Sequence, residues 1–298
     1  MKKIIALVLA VLMVAVCFTS CGKKNSDFVA TDAADLIKED FGIAVKKGNT
    51  ALLEAVNKVV DEWVENGTMT KYVDYYTQLA DYEAGAEGVT APDAGDLTLT
   101  WDFGSATEVI TVYTESGFAP FEFISNGKVI GVDIAIMSQV AVNMGKKIDV
   151  QDVAFDTIPT CVDQATGDAV GAAGMTINDE RKETVDFSSI YYSSTLVIVS
   201  AKDSAISSVK DLDGLKVAVQ EGTSGDLIIS AAASADGHKY EVEADDGSVN
   251  EVVIKVGEKT EIARYKQYAL ALEDLKSGRV DAILMDKLPA LTMLAVAD

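Results

Sequence analysis

The 298-residue chain carries a formal net charge of −22, and 49% of its residues are hydrophobic. A nucleic-acid-binding protein needs a basic face, and the sequence has no cluster of lysine and arginine to form one, so we exclude that class. The length fits one two-lobed protein or two small domains better than a single compact core. His238 is the only histidine, which argues against a histidine metal site or a catalytic triad. We predict no metal and no cofactor.

The first 20 residues have the pattern of an export signal. Two lysines precede an apolar run over residues 4–18, and two small residues precede Cys21. The run is shorter than the roughly 20 apolar residues of a membrane span. The pattern resembles a bacterial lipoprotein signal, in which the cysteine is lipidated and becomes the new N-terminus. We expect residues 1–20 to be removed, Cys21 to carry the lipid, and residues 21–35 to form a tether.

Two helices are predicted after the tether. Residues 41–45 (FGIAV) indicate a short buried strand, and Asn49 or Thr50 can cap the helix that follows. Apolar residues at helical spacing continue that helix to Gly67 and mark a second one to Leu79. Residues 83–106 contain glycines, a proline and acids, which indicates a linker with one strand at 97–101.

Strands then alternate with helices, the pattern of parallel α/β sheets. We assign residues 107–198 to a first lobe and residues 199–298 to a second. The strands are predicted at 109–114, 148–153, 169–173, 196–200, 216–220 and 280–285, with helices opening at 131, at 157 and at 265 and a hairpin over 239–256. In such sheets, ligands bind beyond the carboxyl ends of the strands.

Polar and aromatic residues follow the predicted strands at those ends. They supply a cation, acids, hydroxyls, aromatic rings and a helix N-terminus, a set that matches a zwitterion with one carboxylate and one ammonium. The stretches are Glu115–Phe123, Gly174–Arg181, Gly222–Gly225 and Asp286.

Three stretches carry a resemblance to a known family: PFEF followed by GVDIAIMSQVAVNMG, then AAGMTINDERKETVDFSSIYYSS, then DLDGLKVAVQEGTSGD with LKSGRVDAILMD. They resemble the extracellular solute-binding proteins (family 3) of amino-acid ABC importers, over nearly the whole mature chain. The resemblance implies a two-lobed periplasmic binding protein-like fold of type 2 with a hinge. It implies capture of an amino acid by hinge closure, and delivery to the importer's membrane subunits from the periplasm or the extracellular face of the cell membrane.

The resemblance also assigns ligand-binding roles to matching positions. Arg181 would hold the ligand's α-carboxylate, with further donors from a helix N-terminus, and an acid would hold the α-ammonium. An acidic residue with two aromatic walls favours a basic or amide side chain in the ligand. The other residues are Thr223 and Ser224 as carboxylate donors, Asp286 for the ammonium, Gly174 and Thr176 for a carbonyl and a hydroxyl, Phe118 and Phe155 as walls, and Glu115 near the ammonium or a polar side chain.

Plainer interpretations exist for the same residues. Without the resemblance, Arg181 is a solvated helix charge, Thr223 and Ser224 cap a helix, and Asp286 is a turn residue. A different function is an enzyme on the same fold, similar to a cyclohexadienyl dehydratase and acting on a small carboxylic acid. Glu115 or Asp286 would then be the general acid or base.

The segment 36–82 stands in an unusual place in the chain. The stretch EDFGIAVKKGNTALLEAVNKVVDEWVENGTMTKY resembles one that in this family follows the second lobe, crosses the hinge and completes the first lobe. We predict a circular permutation, in which residues 36–82 complete lobe 1 and residues 83–106 join them to it. One covalent crossover would remain, near 195–202. The alternatives are a helical hairpin that serves as a spacer, or a remnant of a neighbouring gene copy.

Permutation makes a specific packing prediction. The apolar helix faces of residues 36–82 need a partner, and lobe 1 would otherwise expose the surface they cover. We therefore expect Val56, Val60 and Trp63 to pack against the lobe that contains residues 109–192.

Overall fold

The computed structural model describes residues 27–32, 38–243 and 249–295. The predicted export signal and the predicted lipid attachment site, Cys21, lie outside these residues. The described helices are α1 (Thr50–Glu65), α2 (Thr68–Glu83), α3 (Val132–Asn143), α4 (Ile158–Gln164), α5 (Asp179–Lys182), α6 (Ser224–Ala232), α7 (Tyr268–Lys276) and α8 (Lys287–Leu294). The described strands are β1 (Phe28–Asp32), β2 (Lys38–Phe41), β3 (Ala44–Lys46), β4 (Val109–Thr114), β5 (Gly117–Phe118), β6 (Glu122–Ser125), β7 (Lys128–Ile130), β8 (Lys147–Asp152), β9 (Asp168–Gly171), β10 (Val185–Phe187), β11 (Tyr192–Ala201), β12 (Lys216–Gln220), β13 (His238–Glu243), β14 (Val249–Ile254), β15 (Glu261–Tyr265) and β16 (Ala282–Asp286).

Lobe 1 is built on a five-stranded sheet with the order β10-β3-β9-β4-β8. The interior strand β4 runs parallel to β8 and β9, as the alternation of strands and helices predicts. The early strand β3 is antiparallel to both of its neighbours, β9 and β10. A strand from the first 50 residues is therefore an interior member of a sheet whose other strands come after residue 108.

Helices α1 and α2 cover one face of lobe 1. The Asn49 side chain caps α1 by accepting a hydrogen bond from the Leu52 amide at 3.3 Å. The apolar face of α1 is buried in one cluster with Ile110, Val112 and helix α3, and Trp63 stacks on Tyr72 with ring centroids 4.5 Å apart. Val56, Val60 and Trp63 thus pack against lobe 1 as the sequence predicts.

Lobe 2 is built on a sheet with the order β1-β11-β16-β12-β15. Its strands β12, β15 and β16 are parallel, while β11 is antiparallel to β16. Helix α7 contacts the apolar cluster shared with lobe 1, and α6 packs in a separate cluster on the opposite face. The predicted hairpin forms as β13 and β14, which pair antiparallel. None of the helices in the described ranges is long and apolar enough to cross a bilayer.

Strand β11 joins the two lobes, and a second segment runs beside it. Its first residues, Tyr192–Thr195, pair antiparallel with β2, and its later residues pair with β1. Since β1 lies in the lobe 2 sheet and β2 leads through Gly42 into β3 of the lobe 1 sheet, the chain crosses between the lobes a second time beside β11. The prediction of a single crossover is therefore wrong, and so is the assignment of residues 28–32 to a tether. Leu196 pairs with Asp286 of lobe 2, so the second lobe also begins before residue 199.

Two local predictions were wrong in detail. The single strand predicted over 41–45 is split between β2 and β3, which belong to different sheets. The chain passes from one sheet to the other at Gly42, where a β-carbon would lie 2.9 Å from Ile177. Residues 97–101 form no strand: alternate side chains there pack on the core, but the Tyr72 hydroxyl, not a neighbouring strand, binds the Thr98 carbonyl at 2.9 Å.

Candidate functional site

A narrow cavity lies between the two lobes. All nine residues that the sequence assigns to the ligand site line it. Twelve residues form its wall: Glu115, Phe118, Glu122, Phe155, Ala173, Gly174, Thr176, Arg181, Gln220, Thr223, Ser224 and Asp286. The sequence did not single out Glu122, Ala173 or Gln220 as site residues.

The strand ends explain why these side chains meet. Glu115 directly follows β4, and Gly174 lies just after β9 in the same sheet. Thr223 lies just after β12, and Asp286 is the last residue of β16. The carboxyl ends of parallel strands lie at one edge of a sheet, and here the two such edges face each other across the cleft.

Arg181 is fixed by backbone groups of both lobes. Asn178 caps the short helix α5 by accepting from the Arg181 amide at 2.8 Å. The guanidinium donates from Nη1 to the Thr176 carbonyl at 2.7 Å and from Nη2 to the Gly222 carbonyl of lobe 2 at 2.9 Å. Its central carbon lies 5.3 Å from the centre of the Phe155 ring, a cation–π distance. Phe155 therefore supports the arginine as well as lining the cavity.

The side chain of Glu115, which belongs to lobe 1, accepts hydrogen bonds from lobe 2. Its Oε2 accepts from Gln220 Nε2 at 3.0 Å, and its Oε1 accepts from Gln267 Nε2 at 2.9 Å. Burial raises the pKa of Glu115, and the two amide donors act in the opposite direction. A buried carboxylate held by neutral donors keeps its charge uncompensated, so it would attract a cationic group in the cavity.

A glycine and an aromatic pair shape one wall. Gly174 has φ +53°, and a β-carbon there would lie 2.6 Å from the Phe118 ring, so a larger residue would collide with that ring. Phe118 in turn stacks on Tyr268 of lobe 2, with centroids 6.2 Å apart. The Gly174 amide donates to Asp133 Oδ2 at 3.0 Å, which fixes the peptide at this position.

Thr223 and Ser224 begin helix α6 at the cavity wall. The Thr223 hydroxyl donates to the Gln220 carbonyl at 2.8 Å and caps the helix by accepting from the Asp226 amide at 3.4 Å. Thr223 is thus a helix cap, as the plainer interpretation says, and a wall residue. The buried Ser224 hydroxyl has no hydrogen-bond partner among the described residues. It is a free donor at a helix N-terminus, which suits an anion.

Two buried carboxyl groups in the wall have unpaired oxygens. Asp286 Oδ1 and both carboxyl oxygens of Glu122 have no partner within the described part of the chain. Burial raises the pKa of Glu122 well above its ordinary value, and the nearby carboxylate of Asp133 raises it further. Burial likewise raises the pKa of Asp286, with a further rise from Glu39. Glu122 lies in the PFEF motif, between the buried Phe121 and Phe123, and the sequence pattern assigned it no role of its own.

Glu39 is a further acid that the sequence interpretation missed. It lies on β2 and is 4% exposed. Its Oε2 accepts a hydrogen bond from the Thr176 hydroxyl at 2.9 Å, and burial raises its pKa to about 6. The nearby Ser224 hydroxyl and Arg181 lower that pKa, although Ser224 makes no hydrogen bond of full geometry with it. No local pattern marks Glu39, because its place depends on pairing with β11.

The cavity is therefore rich in carboxyl groups. Glu115, Glu122 and Asp286 line it and Glu39 adjoins it, while Arg181 is the only basic residue in its wall. Isolated buried charge is costly. A ligand that carries more positive than negative charge would stabilise the ionised forms of these carboxyl groups.

Comparison with known proteins identifies the family of this chain. The sequence profile of the bacterial extracellular solute-binding proteins, family 3, matches residues 110–265, which is more than half of the chain. The arginine-binding extracellular protein ArtP of Bacillus subtilis (strain 168) is 38% identical over 119 residues, or 40% of this chain and 46% of ArtP. A probable histidine-binding protein of Neisseria gonorrhoeae is 29% identical over 181 residues, or 60% of this chain and 59% of that protein. The chain thus spans about half the length of these relatives.

A solved structure shows the same architecture. The arginine-bound form of truncated ArgBP from T. maritima superposes with a TM-score of 0.51 at 31% identity, covering 63% of this chain and 77% of that one. The two-lobed type 2 fold of periplasmic amino-acid-binding proteins is therefore present here. The chain belongs to the bacterial extracellular solute-binding proteins, family 3.

Proposed function

We propose that this chain captures an amino acid with a basic side chain and delivers it to an ABC importer. The observation that carries the proposal is the convergence of residues from both lobes on one cavity that holds one guanidinium and several carboxyl groups. The relatives named for arginine and histidine support a basic ligand.

The proposed ligand pose follows the polar groups of the wall. Arg181, Thr176 and the N-terminus of α6 would receive the α-carboxylate, which is the only part of the ligand that needs donors. Asp286 would receive the α-ammonium with its unpaired Oδ1. The ligand side chain would extend along Phe118 towards Glu115, where a guanidinium or ammonium would meet a buried carboxylate.

Capture would proceed by hinge closure. The contacts from Glu115 to Gln220 and from Arg181 to Gly222 join lobe 1 to lobe 2 across the cleft, so opening must break them. The paired strands β11 and β2 lie at the junction and would act as the hinge. A ligand that contacts both lobes stabilises the closed form, because only that form makes both sets of contacts.

We also propose that the protein is held at the cell surface by lipid on Cys21, facing the periplasm or the exterior. The basic, apolar and small-residue order of the first 20 residues supports this. The membrane subunits of the importer would be its protein partner.

A thermal-shift screen over the twenty amino acids tests the ligand class. We expect arginine, lysine or histidine to give the largest rise in melting temperature, because a ligand that binds only the folded state stabilises it. At about 100 times Kd, the gain of about 2.7 kcal/mol corresponds to roughly 5–10 °C for a protein of this size. The same ligand should compact the protein in small-angle scattering. A screen in which no amino acid raises the melting temperature would refute the proposal.

Replacing Glu115 with glutamine tests the side-chain preference. The variant keeps the shape of the side chain but removes its charge, so calorimetric affinity for a basic amino acid should fall about tenfold or more, as for a lost charged hydrogen bond. Affinity for glutamine should be unchanged or improved. Glu108→Gln is the matched control, since Glu108 precedes the opposite end of β4 and is exposed. Equal losses for basic and amide ligands would count against the assigned role of Glu115.

We propose binding rather than catalysis for the same cavity. The enzyme alternative requires Glu115 or Asp286 as a general acid or base, and burial raises the pKa of both. Both oxygens of Glu115 are already engaged by amide donors from lobe 2. The relatives that match this chain are named as binding proteins, which supports the same choice.

Finally, we propose that the chain order is a circular permutation of the family's usual one. The membership of β3 in the interior of the lobe 1 sheet and the packing of α1 on α3 support this over a spacer hairpin. The moved segment would begin at β1 rather than at residue 36, because β1 already pairs with β11.

A further inference from the structure

Glu39 reaches the ligand site from the crossover, not from either lobe's strand ends. It is paired with Ser194 across the β2–β11 ladder and is almost fully buried. Its side chain lies beside Thr176 of lobe 1 and is close enough to Ser224 of lobe 2 for that hydroxyl to lower its pKa. The acid is thus held between the lobes when the cleft is closed.

Its neighbours are the groups proposed for the ligand's α-carboxylate. Thr176 donates to Glu39, the Ser224 hydroxyl adjoins it with no other partner, and Arg181 attracts it electrostatically. The carboxylate of Glu39 therefore occupies the neighbourhood that an incoming carboxylate would need. The two terminal guanidinium nitrogens of Arg181 donate to backbone carbonyls instead, so Arg181 forms no ion pair in direct contact with Glu39.

Two carboxylates cannot share these donors while both are ionised. Like charges in a buried site raise each other's pKa, and one of the pair takes up a proton. The charged and titratable groups that face Glu39 are Arg181 on α5, Asp286 on β16 and Tyr268 on α7. Asp286 would gain the ligand's ammonium as a partner, which favours its ionised form. Glu39 gains no cation, so it is the group that becomes protonated.

We propose that Glu39 is a proton-linked residue of the ligand site. The Glu39 carboxylate occupies the carboxylate donors until a ligand binds. When the ligand's carboxylate displaces Glu39 from these donors, Glu39 takes up one proton from solvent. This inference rests on the proposed function, since it needs a ligand with a carboxylate at Arg181. Protonated Glu39 could then donate a hydrogen bond to that carboxylate.

Because Glu39 would take up a proton when the ligand binds, the direction in which ligand affinity changes with pH is fixed. Burial raises the pKa of Glu39 to about 6, and a bound carboxylate beside it would raise this pKa further. Binding should therefore be unaffected by this group below about pH 6 and weaken above it, by up to tenfold per pH unit until the higher pKa is reached. A Glu39→Gln variant should lack this part of the pH dependence and bind more tightly at pH 8.

Isothermal titration with L-arginine at pH 7.5, in phosphate and in Tris, measures the protons exchanged. We expect wild type to take up about one proton more per ligand than Glu39→Gln. Glu180→Gln should behave as wild type, because Glu180 adjoins Arg181 in sequence but is exposed. Equal proton numbers for wild type and Glu39→Gln would overturn the inference and leave the proposed function standing. Equal affinity of the wild type for arginine and for agmatine, which lacks the carboxylate, would also overturn the inference. No binding of arginine, lysine or histidine by wild type or by Glu39→Gln would overturn both proposals.

Discussion

Replacing Arg181 with alanine should weaken binding of a basic amino acid by about 2–5 kcal/mol, roughly 30-fold to several thousandfold in Kd. The loss is large because the ligand's carboxylate would remain desolvated in a cavity whose other ionisable groups are acids. The variant also removes the two bonds that tie Arg181 to Thr176 and Gly222, so closure itself should be less favourable. Titration calorimetry below pH 6, where Glu39 contributes least, isolates the effect.

Suitable controls exist on the same chain. Arg279→Ala removes an arginine that is 62% exposed and pairs with Asp274, away from the cavity, so ligand affinity should not change. Asp286→Asn should cost a similar amount to Arg181→Ala, because it removes the charge proposed to hold the α-ammonium. If both Arg181→Ala and Asp286→Asn bind arginine as wild type does, the site assignment is wrong.

Deleting residues 28–83 should abolish folding of lobe 1 and all ligand binding. The deletion removes an interior strand of its sheet and the helices that bury one face of its core, including fully buried Leu52, Val56 and Val60. Large-to-small changes at single core positions already cost about 2–5 kcal/mol, which is comparable to the total stability of many domains. Circular dichroism and thermal unfolding would show the loss of the cooperative transition.

Moving residues 28–83 to the C-terminal end of the chain should restore the folding and the ligand binding that their deletion abolishes. A chain that carries residues 28–83 after Asp298, joined by a short flexible linker, should unfold cooperatively and bind the same amino acid, because β1 contacts α8 and Lys287 pairs with Asp32 at 2.7 Å. A deleted chain that still folds and binds would show that the segment is a spacer. Failure of the transposed chain to fold would contradict the permutation.

The positions of the site residues could be predicted from the sequence because they depend on local order. Glu115 and Asp286 stand at strand ends, and the carboxyl ends of parallel strands converge whatever the rest of the fold does. Glu39 could not be found this way, since its burial depends on antiparallel pairing with a strand about 150 residues later. Glu122 was visible in a quoted motif, but alternation along β6 does not reveal that both of its neighbours and the acid itself are buried.

The wrong predictions about secondary structure, for residues 28–32 and 97–101, have a similar origin. Residues 28–32 are a short edge strand flanked by polar residues, so composition indicates a tether while pairing with β11 makes a strand. Residues 97–101 have strand-like alternation, but only one face meets the core and no strand lies alongside. Local pattern predicts which side chains are buried more reliably than it predicts which backbone groups find partners.

The interior position of β3 has a consequence for folding on the way out of the ribosome or the export channel. Strand β3 and helices α1 and α2 are made early, yet the Ile43 amide bonds the side chain of Ser188, 145 residues further on. A contact between residues so far apart in the sequence requires a large loop to close, and the entropy cost of closure comes before the contact stabilises the chain. Such contacts therefore slow folding. The apolar face of α1 therefore stays uncovered until the rest of lobe 1 has been made, and this interval is when the chain is most exposed to aggregation or capture by chaperones.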